Sequence, residues 1–225
     1  MNPLTEQQSR VLSIYQRLLS FFGIPQWRKP LSPIDELVST ILSQNTNDAN
    51  RDRAYSALRK DFSTWEEVRD AGLPDVIAAI RPAGLANQKG PRIQKILQEI
   101  TAERGKLSLD FLQELPTDQA LAWLLKFKGI GPKTASIVLL FALDKPAFPV
   151  DTHIHRVTRR IGLIPAKMNA EQAHERLAKL FQSHQYQIAH LNLIRLGRER
   201  CHARKPECWR CPINDLCDYY LSSQQ

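Results

Sequence analysis

The sequence predicts an all-α protein, and three observations carry that prediction. Apolar residues recur at helical spacing along most of the chain, and Ser, Thr, Asp and Asn starts alternate with Gly and Pro stops. No run alternates apolar and polar residues between tight-turn signals, as a half-buried strand would. With 225 residues, 43% of them hydrophobic, the chain can bury a sizeable core as one large domain or two small ones.

Taken in order, Thr5 with Gln8 as a capping-box partner opens a helix whose face is Val11, Ile14, Tyr15, Leu18, Leu19 and Phe22, and Gly23 and Pro25 end it. The proline-rich stretch 24–33 is expected to be a linker. Ser32 then caps a helix with Pro33 at its first position and Ile34, Leu37, Val38, Ile41 and Leu42 inward. The polar string SQNTND is a turn, followed by a helix around Arg51 to Lys60. Thr64 with Glu67 opens the next, which Gly72 closes, and a short helix from Pro74 is stopped by Pro82. AGLANQKG is expected to be a loop leading to a helix with Ile93, Ile96, Leu97 and Ile100. Thr117 to Lys126 is helical; Gly129 to Gly131 turns; and Pro132 starts a helix carrying Ile137, Val138, Leu140 and Phe141. Pro146 and Pro149 break the chain before Asp151 caps a helix ending near Gly162, and two more helices, about Asn169 to Gln182 and Tyr186 to Arg200, complete it.

Charge narrows the partner. Thirty-one Lys and Arg against 23 Asp and Glu leave a net charge of +8, which favours a polyanion such as nucleic acid. The N-terminus is polar and the longest apolar run, Ile137 to Leu143, is too short to span a bilayer, so a cytoplasmic protein with no membrane partner is expected. All four cysteines fall within C-x6-C-x2-C-x5-C, at Cys201, Cys208, Cys211 and Cys217. In a reducing compartment such a group points to metal rather than disulfides. Four thiolates this close suit a cubane iron–sulfur cluster or a structural zinc, although zinc ribbons usually pair two C-x2-C knuckles and only one is present. Arg195, Arg198, Arg200, Arg204, Lys205 and Arg210 around the cysteines make a basic surface suited to phosphates.

The stretch Phe127 to Val157 carries the chemistry. Gly129 and Gly131 permit dihedrals that let backbone N–H groups form an anion-binding nest, and the positive end of the following helix adds to its field. With Lys126 and Lys128 beside it, the turn suits a DNA phosphate. Lys133 lies in the first helical turn, where the same field, with partial burial, disfavours its charged form and leaves more neutral amine to act as a nucleophile. Asp151 precedes Thr-His-Ile, where a carboxylate makes a good N-cap; one oxygen can cap while the other faces a cleft. His153 and His155 receive no role.

GIGPKTA, VDTHIHRV and the C-terminal cysteine spacing together resemble the endonuclease III family of DNA glycosylases, in the helix-hairpin-helix superfamily, from about Leu31 to Cys217. The resemblance implies two all-α domains: a six-helix barrel with the helix-hairpin-helix motif over 30–146, and a domain built from 1–29 and 147–225 that carries a [4Fe-4S] cluster on the four cysteines. A DNA-binding cleft would lie between them. It implies a monomeric base-excision-repair enzyme, a bifunctional DNA glycosylase and AP lyase, that binds double-stranded DNA containing damaged bases or abasic sites. By the same resemblance Lys133 attacks the deoxyribose C1′ and forms a Schiff base, Asp151 assists it, and the flipped base's gap is filled by Gln44 or Asn45 and by Leu85. Lys128, Gly129 and Gly131 are the DNA contacts of the hairpin. Oxidised pyrimidines such as thymine glycol are the expected substrates, because the adenine-mismatch branch usually has serine, and the thymine-mismatch branch tyrosine, in place of the lysine.

Two departures bear on specificity. The hairpin commonly reads L-P-G-x-G but is Phe127-Lys128-Gly129-Ile130-Gly131 here, and Ala86 stands where an aromatic often follows the wedge leucine. The competing readings are a glycosylase of different lesion specificity and a non-catalytic or redox-sensing iron–sulfur protein that binds DNA.

Overall fold

A computed structural model of the chain describes residues 6–26 and 29–224. Helices follow one another throughout: α1 Glu6–Phe22, α2 Pro33–Ser43, α3 Asp48–Asp61, α4 Trp65–Asp70, α5 Leu73–Ile80, α6 Ala86–Arg104, α7 Thr117–Leu125, α8 Pro132–Ile137, α9 Thr152–Arg160, α10 Ala170–Leu180, α11 Tyr186–Glu199 and α12 Asp218–Ser222. No strand occurs among the described residues. The expected Thr5 cap lies outside them. The chain divides into two compact units, Pro30–Lys145 and a second assembled from Met1–Lys29 with Pro146–Gln225.

In the central unit the starts of α2 and α4 follow from local chemistry. The Ser32 side chain accepts from the Asp35 N–H, with Pro33 at N1, and Thr64 and Glu67 close a reciprocal capping box. Leu37, Ile41 and Leu42 of α2, Leu58 of α3, Val76 and Ile80 of α5, and Ile93, Ile96, Leu97 and Ile100 of α6 are all buried. Burying each such side chain contributes roughly 1.5–3 kcal/mol, which outweighs the few tenths at stake in surface helix pairs.

The structure corrects three boundaries here. The helix expected around Arg51 starts at Asp48, because the Asn47 side chain accepts from the Asn50 N–H and caps it. Residues 86–90 are not loop but the first turns of α6, which begins after Leu85 in a left-handed conformation (φ 51°) without any capping side chain. The helix from Pro132 changes after Ile137 into a π-helical turn over Val138–Ala142. Val138, Leu139, Leu140 and Phe141 of that turn are all buried, so the segment is enclosed on every side.

In the second unit α1 buries Val11, Ile14 and Leu18, while α9 and α11 meet at Gly197, where an added Cβ would come within 2.8 Å of the His153 Cβ. Phe148 stacks on Phe181 and meets Tyr186 edge-on, each with centroids 5.3 Å apart. His174 and His190 hydrogen-bond the backbone oxygens of Phe148 and Pro149, which fixes the segment leading to Asp151.

Candidate functional site

The hairpin of the central unit is built by burial on one side and glycine on the other. Phe127 and Ile130 are buried, the Phe127 ring meets Trp123 edge-on at 4.8 Å, and the Ile130 N–H donates to the Phe127 oxygen at 3.0 Å. Between them Gly129 has φ 100°, a conformation that side chains resist, and a Cβ there would come within 2.5 Å of the Arg92 Cδ. Lys128 is left exposed at the tip. Gly131 is the N-cap of α8 and Pro132 its first residue, so the N–H groups of the first turn have no acceptor within the helix. Lys133 lies in that turn, half-buried. Six residues are too few to hold a helix alone; burial of Thr134, Ala135 and Ser136, and of the π turn behind them, holds this one in place.

Lys126, also exposed, has an acidic neighbour. Its ammonium lies 3.3 Å from Glu103 Oε1, which also accepts from the Trp123 ring N–H at 2.8 Å.

Beside the hairpin, the turn after α2 separates Gln44 from Asn45. Gln44 is the C-cap of α2; its Oε1 accepts from Arg92 Nη1 at 2.8 Å and its Nε2 lies 3.5 Å from the Gly129 oxygen. Asn45 is exposed, with φ 53°. Leu85 is 46% exposed and also left-handed. Of the four described non-glycine residues with positive φ, Asn45, Leu85, Asp144 and Lys205, the first two are at positions implied to enter DNA. Sequence reasoning missed Arg92 and Lys89, since neither stands in a motif; the only available signal was two cations three residues apart on the face that carries Ile93 and Ile96.

In the second unit Asp151 caps α9 as expected: the Ile154 N–H donates to its Oδ1 at 2.7 Å. His153 Nδ1 lies 3.1 Å from Arg156 Nη2, and burial, with the guanidinium adding to it, lowers its pKa. His155 Nε2 is bound to the Met168 oxygen at 2.8 Å. Both histidines are thus packing groups in this structure.

The cysteines line one pocket, together with Arg160, Leu196, Glu207 and Tyr219, and none is disulfide-bonded. Burial is the chief cause that raises the pKa of Cys208, Cys217 and Cys211, the last to about 11, and neighbouring cysteines raise each of them further. Ionising such a set needs a compensating positive charge, the condition that thiolate-ligated metal meets. Among the described residues no three His, Cys, Asp or Glu side chains close on a single-ion site. The four thiols line one pocket, a donor set that fits an iron–sulfur cluster.

Arginines from distant parts of the chain hold this loop. Arg160 donates through Nη1 to the His202 oxygen at 2.6 Å and the Cys201 Sγ at 3.3 Å, and through Nη2 to the Ala203 oxygen at 3.0 Å. From α1, Arg10 donates to the Leu216 oxygen at 2.8 Å, to the Ile161 oxygen and to Asp218, while Arg17 pairs with Asp215, so α1 brackets Cys217. The surface is less positive than the count of arginines implies: Glu207 faces Arg200 and Arg210 at 3.7 and 3.5 Å, and Glu199 faces Arg195 at 3.1 Å. Arg204 and Lys205 remain exposed.

Comparison with known proteins assigns the class. The family model described as HhH-GPD superfamily base excision DNA repair protein matches residues 38–183, and the chain belongs to that superfamily. The model for the iron-sulfur binding domain of endonuclease III matches 201–217, from the first cysteine to the last. Endonuclease III of Thermotoga maritima is 33% identical over 196 residues, 87% of each chain, and that of Sulfolobus acidocaldarius is 35% identical over 189 residues, covering 83% of this chain and 82% of the other. A plant relative from Arabidopsis thaliana is 41% identical over 134 residues, and the chain spans 46% of its length. Among solved structures, a trapped covalent intermediate of endonuclease III with DNA superposes with TM-score 0.82 at 25% identity, over 99% of this chain and all of that one. Within the superfamily the chain is therefore a member of the endonuclease III family, whose enzymes are bifunctional DNA glycosylase/AP lyases carrying a [4Fe-4S] cluster.

Proposed function

We propose that the protein, as a cytoplasmic monomer, excises oxidised pyrimidines such as thymine glycol from duplex DNA and then nicks the strand, with Lys133 as nucleophile. The observation that carries this reading is the half-buried Lys133 in the first turn of α8, directly after a hairpin whose N–H groups suit a phosphate. Lys128, Gly129 and Gly131 hold the DNA backbone there, and the damaged nucleotide turns out of the stack while Gln44 and Leu85, with Asn45 beside them, occupy the gap.

The neutral Lys133 amine attacks C1′. The C1′–N bond breaks, and the base departs with its electron pair and is protonated. The sugar ring opens as the amine loses its proton, leaving an imine between Nζ and C1′. Loss of a C2′ proton then expels the 3′ phosphate oxygen with its electron pair, which is β-elimination. Asp151, its Oδ1 engaged by the Ile154 N–H, directs Oδ2 to the reacting sugar, accepts the proton of the incoming amine and steadies the positive charge that develops as the base leaves. Cys201, Cys208, Cys211 and Cys217 would hold the cluster, whose iron–thiolate bonds would brace the loop carrying Arg204 and Lys205.

Borohydride reduction during reaction with a duplex holding one thymine glycol or one abasic site tests this. Wild type is expected to give a covalent adduct whose mass maps to the peptide containing Lys133, and Lys133→Ala to give none. Equal trapping by Lys133→Ala, or no adduct with wild type, sinks the mechanism. A folded, DNA-binding protein that cleaves neither substrate would favour the redox-sensing reading, and cleavage at the abasic site alone would favour another lesion.

A further inference from the structure

Lys89 is among the largest fully buried side chains described, at 2% exposure, and it faces backbone oxygens rather than a carboxylate. Its ammonium donates to the Leu42 oxygen at 2.7 Å and to the Ala83 oxygen at 2.9 Å. Leu42 lies in the last turn of α2, two residues before Gln44, and Ala83 ends the 3-10 turn Arg81–Ala83, two residues before Leu85. Both oxygens belong to the negative ends of helical segments, whose last carbonyls have no acceptor role within the segment and attract a cation. The Lys89 N–H also donates to the Leu85 oxygen at 2.9 Å, so one residue holds the wedge segment from both its backbone and its side chain.

We propose that Lys89 is a positioning residue that ties the segments carrying Gln44 and Leu85 into one device, so that the two side chains enter the duplex together. The proposal rests on the gap-filling roles proposed for Gln44 and Leu85. A tie for packing alone would not need a charge: an apolar side chain of equal length would fill the space without placing a cation where burial lowers its pKa. The cation also stands three residues from Arg92, which makes the second link in the same direction by holding Gln44 Oε1. Two like charges on a buried helix face oppose folding; the feature they share is that each fixes a segment bearing one of the proposed gap-filling residues.

The test is a mutant cycle read by single-turnover excision of thymine glycol from a duplex, with 2-aminopurine opposite the lesion reporting displacement of that base. The variants are Lys89→Met, the double variant Gln44→Ala/Leu85→Ala, and their combination. Lys89→Met is expected to slow excision about tenfold in the wild-type background, to weaken the 2-aminopurine response, and to slow the Gln44→Ala/Leu85→Ala protein less than about twofold. Lys89→Arg, able to donate to both oxygens, should recover part of the loss. Equal slowing in both backgrounds, or no slowing in wild type, overturns the proposal alone. Wild-type excision by Gln44→Ala/Leu85→Ala sinks the gap-filling reading and the proposal with it. Each variant is checked for a cooperative thermal transition, and Lys89→Gln, shorter and uncharged, replaces Lys89→Met in the cycle if that protein lacks one.

Discussion

The hairpin over 127–133 and the cysteine loop over 201–217 are held by opposite means. The hairpin is a product of nearby sequence: buried Phe127 and Ile130, a glycine at φ 100°, and a proline at N1 of α8. From elsewhere in its unit, Gln44 reaches the Gly129 oxygen and is itself held by Arg92. The cysteine loop has only short 3-10 turns of its own, Cys208–Arg210 and Asn214–Leu216, and depends on Arg10, Arg17 and Arg160, and on its cluster. A segment braced by backbone conformation fails when a Cβ is added, and a segment braced by charge and metal fails when a ligand is removed.

The largest effect is expected on the metal side of that contrast. Cys211→Ser removes one thiolate from the set, and the arginines facing the pocket lose their counterpart, which should cost on the order of 3–5 kcal/mol in that unit. The preparation should lose the brown colour and broad violet absorption of an iron–sulfur protein. Amide exchange should rise in α9, α11 and α12 while α2 to α6 stay protected; uniform loss of protection would erase the distinction between the regions. A colourless wild-type protein that contains zinc would overturn the cluster's identity.

A smaller effect is expected at the hairpin. Gly129→Ala forces a side chain into the left-handed region and against Arg92, a cost of about 1–3 kcal/mol. Because Arg92 holds Gln44, binding to lesion duplex should weaken with the cluster absorption unchanged. Unaltered melting and unaltered DNA affinity would show that the hairpin tolerates what its conformation argues against.

The same contrast explains what could be read from the sequence. Caps at Ser32, Thr64 and Asp151 were legible because donor and acceptor lie within one turn. The start of α6 was hidden because Leu85 enters it through φ 51° with no capping side chain, so AGLANQKG looked like loop. The π turn was hidden because an apolar run says that residues are buried and nothing about helix width. Arg10, Arg160 and Lys89 were invisible for another reason: each bonds backbone oxygens far along the chain, and a carbonyl leaves no mark in a sequence. Lys133 and Asp151 stand out in the sequence only because motifs surround them, since a surface lysine and a capping aspartate would look the same alone.

That last ambiguity is open to direct measurement with Asp151→Asn. Asparagine caps a helix about as well as aspartate, so the Ile154 N–H keeps its acceptor and α9 its start. What the substitution removes is the negative charge, which in the proposed mechanism accepts a proton and faces the developing cation. Single-turnover excision of thymine glycol should fall by about 100-fold or more, the scale of a lost proton-transfer or charge-stabilising group, while the melting temperature stays within about 1–2 °C of wild type. Excision at the wild-type rate by a folded Asp151→Asn protein would contradict the account and leave Asp151 as a helix cap alone.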